Sequence, residues 1–232
     1  MYPARRPAGP PAGGPMIDIA PNLEEVFAAL PPGSRRLLER FNRMLVSDAA
    51  VRGYVARSPV RQSWQSHILD SLAAAPLLDA LLVQRPAPRI ADVGSGAGLP
   101  GIPLAIARHR WHLTLFEERR GRARLLDRFV SQLKVDNARP EKDDAARHAG
   151  LFDATVARAL APPPRALELC RGLVREKGVV VLYLTCDQMA EWPASERPEP
   201  LGVARYHLPG LRSGRIAVAF PAGTLAANPG RG

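Results

Sequence analysis

The chain has 232 residues, of which 46% are hydrophobic and 23% charged, the composition of an ordinary globular domain rather than of a disordered or collagen-like chain. Its two cysteines, Cys170 and Cys186, are too few for a disulfide scaffold and lack the spacing of a zinc site, so we expect two reduced thiols. The formal net charge of +10 favours a polyanionic partner such as nucleic acid, although a GC-rich genome also raises the arginine content.

The sequence shows no sign of a membrane or secretory segment. It contains no run of about 18 apolar residues, and the N-terminus lacks the apolar region of a signal peptide. We therefore expect a cytoplasmic location. Residues 1–15 and 221–232 are rich in Pro, Gly and Ala, which predicts a disordered N-terminus and a flexible C-terminal tail.

Between residues 16 and 85 the apolar residues recur at helical spacing. Asn22 is a candidate N-cap for a first helix, which ends before Pro31, and Ser34 opens a second helix. A third helical stretch contains His67. We therefore predict an all-helical N-terminal extension over residues 16–85.

From residue 86 to residue 220 short apolar strands alternate with amphipathic helices. We assign strands to the segments RIADVGSG, HLTLFEE, FDATVARAL and GVVVLYL, and a terminal hairpin to ARYHLPG and GRIAVAF. Helices are predicted over residues 103–109, 119–133 and 165–175. This order predicts an α/β domain with a mostly parallel sheet and helices on both faces.

A glycine-rich loop follows the first predicted strand, where Asp92 precedes Gly94, Gly96 and Gly98. Glycine lets the backbone approach a ligand, and in an open α/β sheet this loop lies at the ligand-binding edge. The segment from Gly96 to Gly101 also fits the dinucleotide fingerprint G-x-G-x-x-G. However, an acidic residue before the glycines suits the cationic methionine end of S-adenosylmethionine (SAM) and would repel a pyrophosphate. SAM is therefore favoured, and NAD is the alternative.

A carboxylate also ends the second predicted strand. Glu117 lies where a carboxylate can accept hydrogen bonds from both ribose hydroxyls of such a cofactor. Its neighbour Glu118 is a second candidate. The alternative is that the carboxylate binds no ligand and is a solvated charge at the end of the strand. We interpret Glu117 as a cofactor ligand.

Three stretches resemble one protein family, the glucose-inhibited-division-B family of bacterial small-subunit rRNA guanine-N7 methyltransferases. They are HILDSL at residues 67–72, DVGSGAGLPGIPLAI at residues 92–106 and FDATVARALAP at residues 152–162. The resemblance implies a class I SAM-dependent methyltransferase fold, with a seven-stranded Rossmann-like sheet and an N-terminal helical extension. It also implies that the chain uses SAM to methylate N7 of a guanine in the 16S rRNA of the small ribosomal subunit.

The resemblance further implies roles for single residues. Arg158 corresponds to an arginine beside cofactor and substrate, and is the candidate catalytic residue. His67 and Asp70 would pack the helical extension against the cofactor loop. Together with the loop and the strand-end carboxylate, the expected cofactor ligands are Asp92, Gly94, Gly96, Gly98, Leu99, Glu117, Asp144, Ala145, Ala146 and Arg158.

The chain departs from the family pattern at several positions. Asp144-Ala145-Ala146 stand where the family has Arg, then Ala or Val, then Glu, and Leu184-Thr185 stand where it has Lys-Gly. The family's N-L-T block aligns with RGYVARS. Two alternatives therefore stay open: a divergent methyltransferase that acts on another RNA or a small molecule, and a non-catalytic SAM- or RNA-binding relative.

Methylation at N7 requires few catalytic side chains. N7 of guanine has an in-plane lone pair and no proton, so alignment suffices and no general base is needed. Amino-group methylases carry an Asn/Asp-Pro-Pro-aromatic motif where this chain has Ala-Pro-Pro-Pro. Cys186 follows the central strand and resembles the thiol of RNA cytosine-C5 methylases, which is a weaker alternative. The histidines lack metal-ligand spacing, so no metal is expected.

The helix after the second strand carries five arginines: Arg119, Arg120, Arg122, Arg124 and Arg128. They are candidate ligands for rRNA phosphates, with a solvated helix face as the alternative. Tyr54 and Trp64 are candidate base-stacking residues, although core packing explains both. The expected partner is 16S rRNA in the small ribosomal subunit, with no membrane partner, and the expected state is a monomer.

Overall fold

A computed structural model describes residues 16–49, 53–142, 145–211 and 213–223, without the side chain of Ala146. The disorder expected for residues 1–15 and for residues 224–232 falls outside the described residues. Pro221, expected in the tail, is instead the last residue of a strand.

One eight-stranded sheet forms the centre of the fold. Its strands are β1 Ile17–Ile19, β2 Arg89–Val93, β3 His112–Phe116, β4 Ala138–Glu141, β5 Phe152–Arg158, β6 Val174–Thr185, β7 Gly202–Tyr206 and β8 Arg215–Pro221. They lie in the order β1-β7-β8-β6-β5-β2-β3-β4. All neighbours are parallel except β8, which is antiparallel to β6 and β7. This mostly parallel sheet with a terminal hairpin is the class I methyltransferase fold, and that prediction is confirmed.

The sequence pattern did not predict two short strands at the edges of the sheet. β4 contains Pro140, which lacks a backbone N–H and is tolerated because β4 is an edge of the sheet. β1 has only three residues and pairs with β7, with Ile17 opposite Gly202. It adds an eighth strand to the expected seven, so the prediction that the extension is all-helical is wrong. Three residues carry no alternation of their own, and this strand is defined by its partner.

Nine α-helices are described: α1 Leu23–Ala28, α2 Ser34–Met44, α3 Val60–Ser63, α4 Asp70–Leu72, α5 Ala75–Leu81, α6 Gly101–Ala107, α7 Arg120–Leu133, α8 Pro163–Arg171 and α9 Cys186–Glu191. Two short 3-10 helices span Ala145–His148 and Ala194–Glu196. Asn22 caps α1 as predicted, because its Oδ1 accepts the backbone N–H of Glu24 at 3.0 Å. Ser34 begins α2, also as predicted. π-Helical turns over Leu45–Ala49 and Trp64–Leu69 follow α2 and join α3 to α4.

One predicted helix is too long. The helix expected over residues 165–175 ends at Arg171, and Val174 already belongs to β6, where it pairs with Phe152. The apolar residues between α8 and β6 fit both helical and strand periodicity. The strand with which they pair therefore determines where the helix ends. No helix among the described residues has the length and apolarity needed to cross a membrane.

The helical extension shares one hydrophobic core with the sheet domain. Side chains of α2, α4 and α5 pack with those of α6 and α7 on one face of the sheet, whereas α8 covers the other face. At the centre, the rings of Phe41 on α2 and Phe129 on α7 meet edge to face at 5.7 Å, and both are fully buried. The extension is therefore part of the structural support of the domain.

Replacing Phe41 with Ala tests this shared core. Loss of a fully buried ring is expected to lower the free energy of unfolding by about 3–5 kcal/mol. Denaturation followed by circular dichroism and by tryptophan fluorescence should show one coincident, shifted transition. The control Leu169→Ala, at a side chain that is 39% exposed, should change the free energy by about 0.5 kcal/mol or less. Two separate transitions in Phe41→Ala would contradict the shared core.

Candidate active site

The candidate site lies at the carboxyl ends of β2 and β5, where the order of the sheet changes direction. From β2 the chain winds outward through β3 and β4 on one side, whereas β5 and β6 lie on the other. β2 and β5 are parallel neighbours, with Asp92 opposite Val156. Ligands of open α/β sheets bind in the crevice at such a switch point. The glycine loop and Arg158 both reach this crevice.

Asp92 holds the glycine loop closed. Its carboxylate is fully buried, and Oδ2 accepts hydrogen bonds from Ser95 Oγ at 2.6 Å and from the backbone N–H of Gly101 at 2.8 Å. The Gly101 N–H stands at the start of α6, where a dinucleotide pyrophosphate would need a free donor. A carboxylate in that place argues against NAD.

The loop glycines are needed for two different reasons. Gly94, Gly96 and Gly98 all have positive φ, which L side chains rarely adopt. A Cβ on Gly94 would lie 2.6 Å from Leu160 Cδ1, so this glycine permits close packing of the loop after β5. A Cβ on Gly96 would meet no atom closer than 3.9 Å, so the backbone there borders open space. Leu99, also expected at the site, is buried and packs in the core.

The charge state of Asp92 is set by its burial. Desolvation raises the pKa of Asp92 from its ordinary value of 3.8 to about 6, while the hydrogen bonds from Ser95 and Gly101 and the charge of Arg158 act in the opposite direction. Its second oxygen, Oδ1, is buried and has no hydrogen-bond partner in the part of the chain that the structure describes. A buried carboxylate with a free oxygen is suited to a cationic ligand.

Glu117, and not Glu118, points into the loop. Glu117 is buried, and its carboxylate accepts the backbone N–H of Gly96 at 3.0 Å and that of Arg119 at 2.9 Å. Glu118 is exposed. Each oxygen of Glu117 keeps a further lone pair, so the carboxylate can still accept two hydroxyl donors. The strand end thus presents a buried carboxylate beside the glycine loop, and its role as a cofactor ligand stays a prediction.

Arg158 is held by the helical extension. Its Nη1 donates to Asp70 Oδ2 at 2.8 Å, and the hydroxyl of Tyr206 donates to Asp70 Oδ1 at 2.9 Å. The Tyr183 hydroxyl donates to the carbonyl of Ser71 at 2.7 Å. Asp70 therefore joins the helical extension to the ends of β5 and β7, and its expected packing against the cofactor loop stays a prediction. Neither tyrosine was singled out from the sequence, because nothing near them marks their partners.

His67 lies beside this ion pair. Burial and the charge of Arg158 lower the pKa of His67 to about 4, so its imidazole is neutral at physiological pH. A neutral ring adds no repulsion next to the guanidinium. Among the described residues no group of His, Cys, Asp or Glu side chains could hold a metal ion.

The arginines of α7 divide into two groups. Arg122 lies 3.9 Å from a carboxylate oxygen of Glu117 and stacks over the Tyr54 ring at 5.5 Å, while Arg128 pairs with Asp48 at 2.6 Å. The other three are exposed and form no ion pair within the described ranges: Arg119, Arg120 and Arg124. This exposed group is the surface that can reach a phosphate backbone.

Other predicted residues are placed outside the crevice or cannot be placed. Trp64 packs edge-on against Phe27 at 5.5 Å, which supports its core role. Asp144 and the side chain of Ala146 fall outside the described residues, whereas Ala145 packs at the edge of the core on the α8 face. Cys186 begins α9 and is exposed, and the cytosine-methylase alternative for its thiol stays a prediction.

A cavity beside the crevice was missed by the sequence analysis. It has a volume of about 570 Å³ and lies between the loop after β5, which holds Ala159, and helix α9, which holds Gln188 and Glu191. The two segments are almost 30 residues apart in sequence, and only the pairing of β5 with β6 brings them together. The motif A-P-P-P in the first segment was the one available signal.

The chain is similar to a known family and to several curated relatives. Residues 34–213 match the family described as rRNA small subunit methyltransferase G. A ribosomal RNA small subunit methyltransferase G from Polynucleobacter asymbioticus is 33% identical over 166 residues, covering 70% of this chain and 74% of the relative. One of the same name from Mycobacterium sp. (strain JLS) is 34% identical over 162 residues, 68% of each chain. Among solved structures, PH0793 from Pyrococcus horikoshii has a TM-score of 0.50 at 10% identity, covering 66% of this chain and 63% of its own, which is a likeness of fold alone.

The pH dependence of unfolding tests the burial of Asp92. Because its pKa is raised to about 6, the folded chain binds this proton more tightly than the unfolded chain does. Its contribution to the free energy of unfolding is complete below about pH 4 and is lost as the pH rises through about 6, a change on the order of 3 kcal/mol. Asp92→Asn keeps an acceptor oxygen but does not titrate, so this contribution should vanish from urea unfolding curves.

The exposed Asp136→Asn is the matched control, and it should keep the pH dependence of the unaltered chain. If Asp92→Asn and the unaltered chain show parallel stability profiles between about pH 4 and pH 6, the carboxylate is not buried in the way described.

Proposed function

Because the chain belongs to the rRNA small subunit methyltransferase G family, we propose that it is a SAM-dependent enzyme that methylates N7 of a guanine in 16S rRNA of the small ribosomal subunit. One observation carries the proposal: a glycine loop closed by the buried carboxylate of Asp92 borders open space at Gly96, whose backbone N–H donates to Glu117. This arrangement stands at the switch point of the sheet and lies within the segment that matches the family.

The residues of the crevice fit SAM. When bound, SAM supplies a methyl group on a positively charged sulfonium. The buried carboxylates of Asp92 and Glu117 give the crevice the negative charge that a cationic ligand needs. Glu117 would accept the ribose hydroxyls, and the backbone at Gly96 would leave room for the ligand. The proposed ligands are Asp92, Gly94, Gly96, Gly98, Glu117 and Arg158, with Asp144, Ala145 and Ala146 as further candidates, whereas the side chain of Leu99 packs in the core.

The ion pair with Asp70 explains how an arginine can stand beside a cationic ligand. An unpaired guanidinium in the crevice would repel a sulfonium. The carboxylate of Asp70, 2.8 Å from Arg158 Nη1, offsets that charge and fixes the direction of the side chain. Arg158 can then orient cofactor or substrate through directed hydrogen bonds at little electrostatic cost. N7 itself carries a lone pair and no proton, so positioning is the work that the side chains must do.

The surface charge fits an RNA substrate. The chain has a net charge of +10, and the exposed arginines Arg119, Arg120 and Arg124 stand on the helix that follows β3. Contacts of this kind hold a phosphate backbone without reading its sequence. We infer that the protein acts as a monomer in the cytoplasm, on 16S rRNA in the small subunit.

A methylation assay tests the proposed function. The protein is incubated with methyl-labelled SAM and small ribosomal subunits from a strain that lacks this enzyme, and borohydride and aniline cleavage then maps N7-methylguanine. We expect cleavage at a single guanine, and Arg158→Ala should lower the rate about 100-fold because an oriented cationic donor is lost. The exposed Arg165→Ala is the control. SAM binding without any N7-methylguanine would favour the divergent or non-catalytic alternatives.

Glu117→Gln tests the cofactor crevice separately. The amide keeps one acceptor oxygen but loses the charge, so calorimetry should show SAM binding weakened about 10- to 100-fold. Glu118→Gln makes the same chemical change at the exposed neighbour and should leave the Kd unchanged. Equal affinities in both variants would remove Glu117 from the cofactor site.

A further inference from the structure

We propose that Tyr206, on β7, is a positioning residue for the methylation reaction, because its hydroxyl holds the carboxylate of Asp70 in the orientation that aims Arg158 into the crevice. Tyr206 donates to Asp70 Oδ1 at 2.9 Å, and Arg158 Nη1 donates to Asp70 Oδ2 at 2.8 Å. We name these two contacts the Asp70 bridge. This inference rests on the proposed function, because Arg158 is the residue through which Tyr206 acts.

Tyr206 and Arg158 stand on the same face of the sheet, but their strands are not neighbours. Strands β8 and β6 lie between β7 and β5, so the two backbones are three strand spacings apart, about 14 Å. The strand registers pair Arg158 with Tyr183 and Tyr183 with Ala217. Ala217 in turn pairs with Ala204, which precedes Tyr206 by two residues and therefore shares its face. A group above this face is needed to join the two side chains, and the helical extension supplies it.

The carboxylate of Asp70 receives one of these donors on each oxygen. Its side chain is 3% exposed, so water can do little to replace a lost donor. Donors on two different oxygens fix the plane of the carboxylate, and with it the position of Arg158 Nη1. Without the Tyr206 hydroxyl the carboxylate would keep its charge but could turn about its Cβ–Cγ bond, and the guanidinium would follow. The hydroxyl therefore contributes direction to the ion pair.

The Asp70 bridge uses one nitrogen of the guanidinium and leaves the others for a ligand. Nη1 of Arg158 also donates to the carbonyl of Ser66 at 3.4 Å, whereas Nε and Nη2 have no partner in the part of the chain that the structure describes. Arg158 is the last residue of β5, at the carboxyl end of the strand where the crevice lies. The guanidinium is rigid and planar, so a rotation at Nη1 turns every other donor with it. A loosened bridge would therefore misdirect the donors that meet cofactor or substrate.

The Tyr206 hydroxyl is a permanent donor to this carboxylate. Burial and the charge of Asp70 raise the pKa of Tyr206 well above its ordinary value of 10.0, so the phenol keeps its proton at physiological pH. The residue is 5% exposed and its ring packs in the core that the sheet shares with the helical extension. Tyr206 therefore acts on Arg158 through Asp70, without contact to cofactor or substrate.

Tyr183 provides a matched control for Tyr206. It is also 5% exposed, and its hydroxyl donates at 2.7 Å to the carbonyl of Ser71, the residue after Asp70. Removal of either hydroxyl therefore breaks one buried hydrogen bond between the sheet and the helical extension. Of the two hydroxyls, Tyr206 alone contacts the carboxylate that holds Arg158. If the hydroxyls served only to anchor the extension, both changes would have the same effect on the reaction.

Methylation kinetics on small ribosomal subunits test the positioning role. We expect kcat to be about tenfold lower in Tyr206→Phe, the scale of one hydrogen bond to a charged group, and within about twofold of the unaltered chain in Tyr183→Phe. Both variants should lose similar stability in urea. In the Arg158→Ala background, Tyr206→Phe should not lower kcat further, because a positioning residue has no effect without the group that it positions. Equal losses of kcat in Tyr206→Phe and Tyr183→Phe, or an undiminished loss without Arg158, would overturn the inference and leave the proposed function standing.

A spectroscopic measurement on the full chain separates this inference from the proposed function. The side-chain ¹⁵Nε–¹Hε resonance of Arg158, assigned through Arg158→Ala, reports the surroundings of the guanidinium without any reaction. We expect this resonance to move in Tyr206→Phe and to keep its position in Tyr183→Phe. An unmoved resonance in Tyr206→Phe would overturn the positioning role. A shift confined to Tyr206→Phe, in a chain that methylates no guanine of 16S rRNA, would support the positioning of Arg158 and overturn the proposed function.

Discussion

Both ends of the glycine loop are tied to one carboxylate oxygen, Asp92 Oδ2, and the geometry of the site follows from that tie. The hydrogen bonds from Ser95 and Gly101 bring the end of β2 and the start of α6 together, so the backbone between them must turn through three positive φ angles. This turn opens the backbone at Gly96 toward the crevice and places its N–H on Glu117. The cost is a buried carboxylate whose Oδ1 has no hydrogen-bond partner among the described residues, a cost that a cationic ligand would offset.

Charges are separated in a way that suits a reaction between a cation and a polyanion. Arg158 stands inside the crevice, but Asp70 offsets its charge, and His67 beside it is neutral. The exposed arginines, Arg119, Arg120 and Arg124, stand at the start of α7, whereas the cavity beside α9 is lined by Glu191 and Glu196. A basic surface of this kind can hold phosphates. Because Asp70 belongs to the N-terminal extension, that extension contributes to the electrostatics of the site as well as to the core.

Elements with a strong period could be predicted, and those that depend on a distant partner could not. The strands β2, β3, β5 and β6, the helix capped by Asn22 and the helix that begins at Ser34 carry their own signals, either a run of apolar residues or a cap. β1 and β4 are three and four residues long and exist because a neighbouring strand pairs with them. The predicted end of α8 was wrong for the same reason, because Val174 pairs with Phe152 in β5.

The sequence alone determined the class of fold and the chemistry of the glycine loop, because glycines, a preceding acid and a strand end are adjacent in the chain and act locally. It also placed Glu117 at the end of a strand, and the family resemblance pointed to Arg158. Only the tertiary structure decided which of two neighbouring glutamates faces the loop, since that depends on the pairing of β3 with β2 and β4. Only the tertiary structure also brought Asp70 into contact with Arg158 and Tyr206, and brought the loop after β5 next to α9. These contacts link residues far apart in sequence through the order of the strands, and no local pattern records that order.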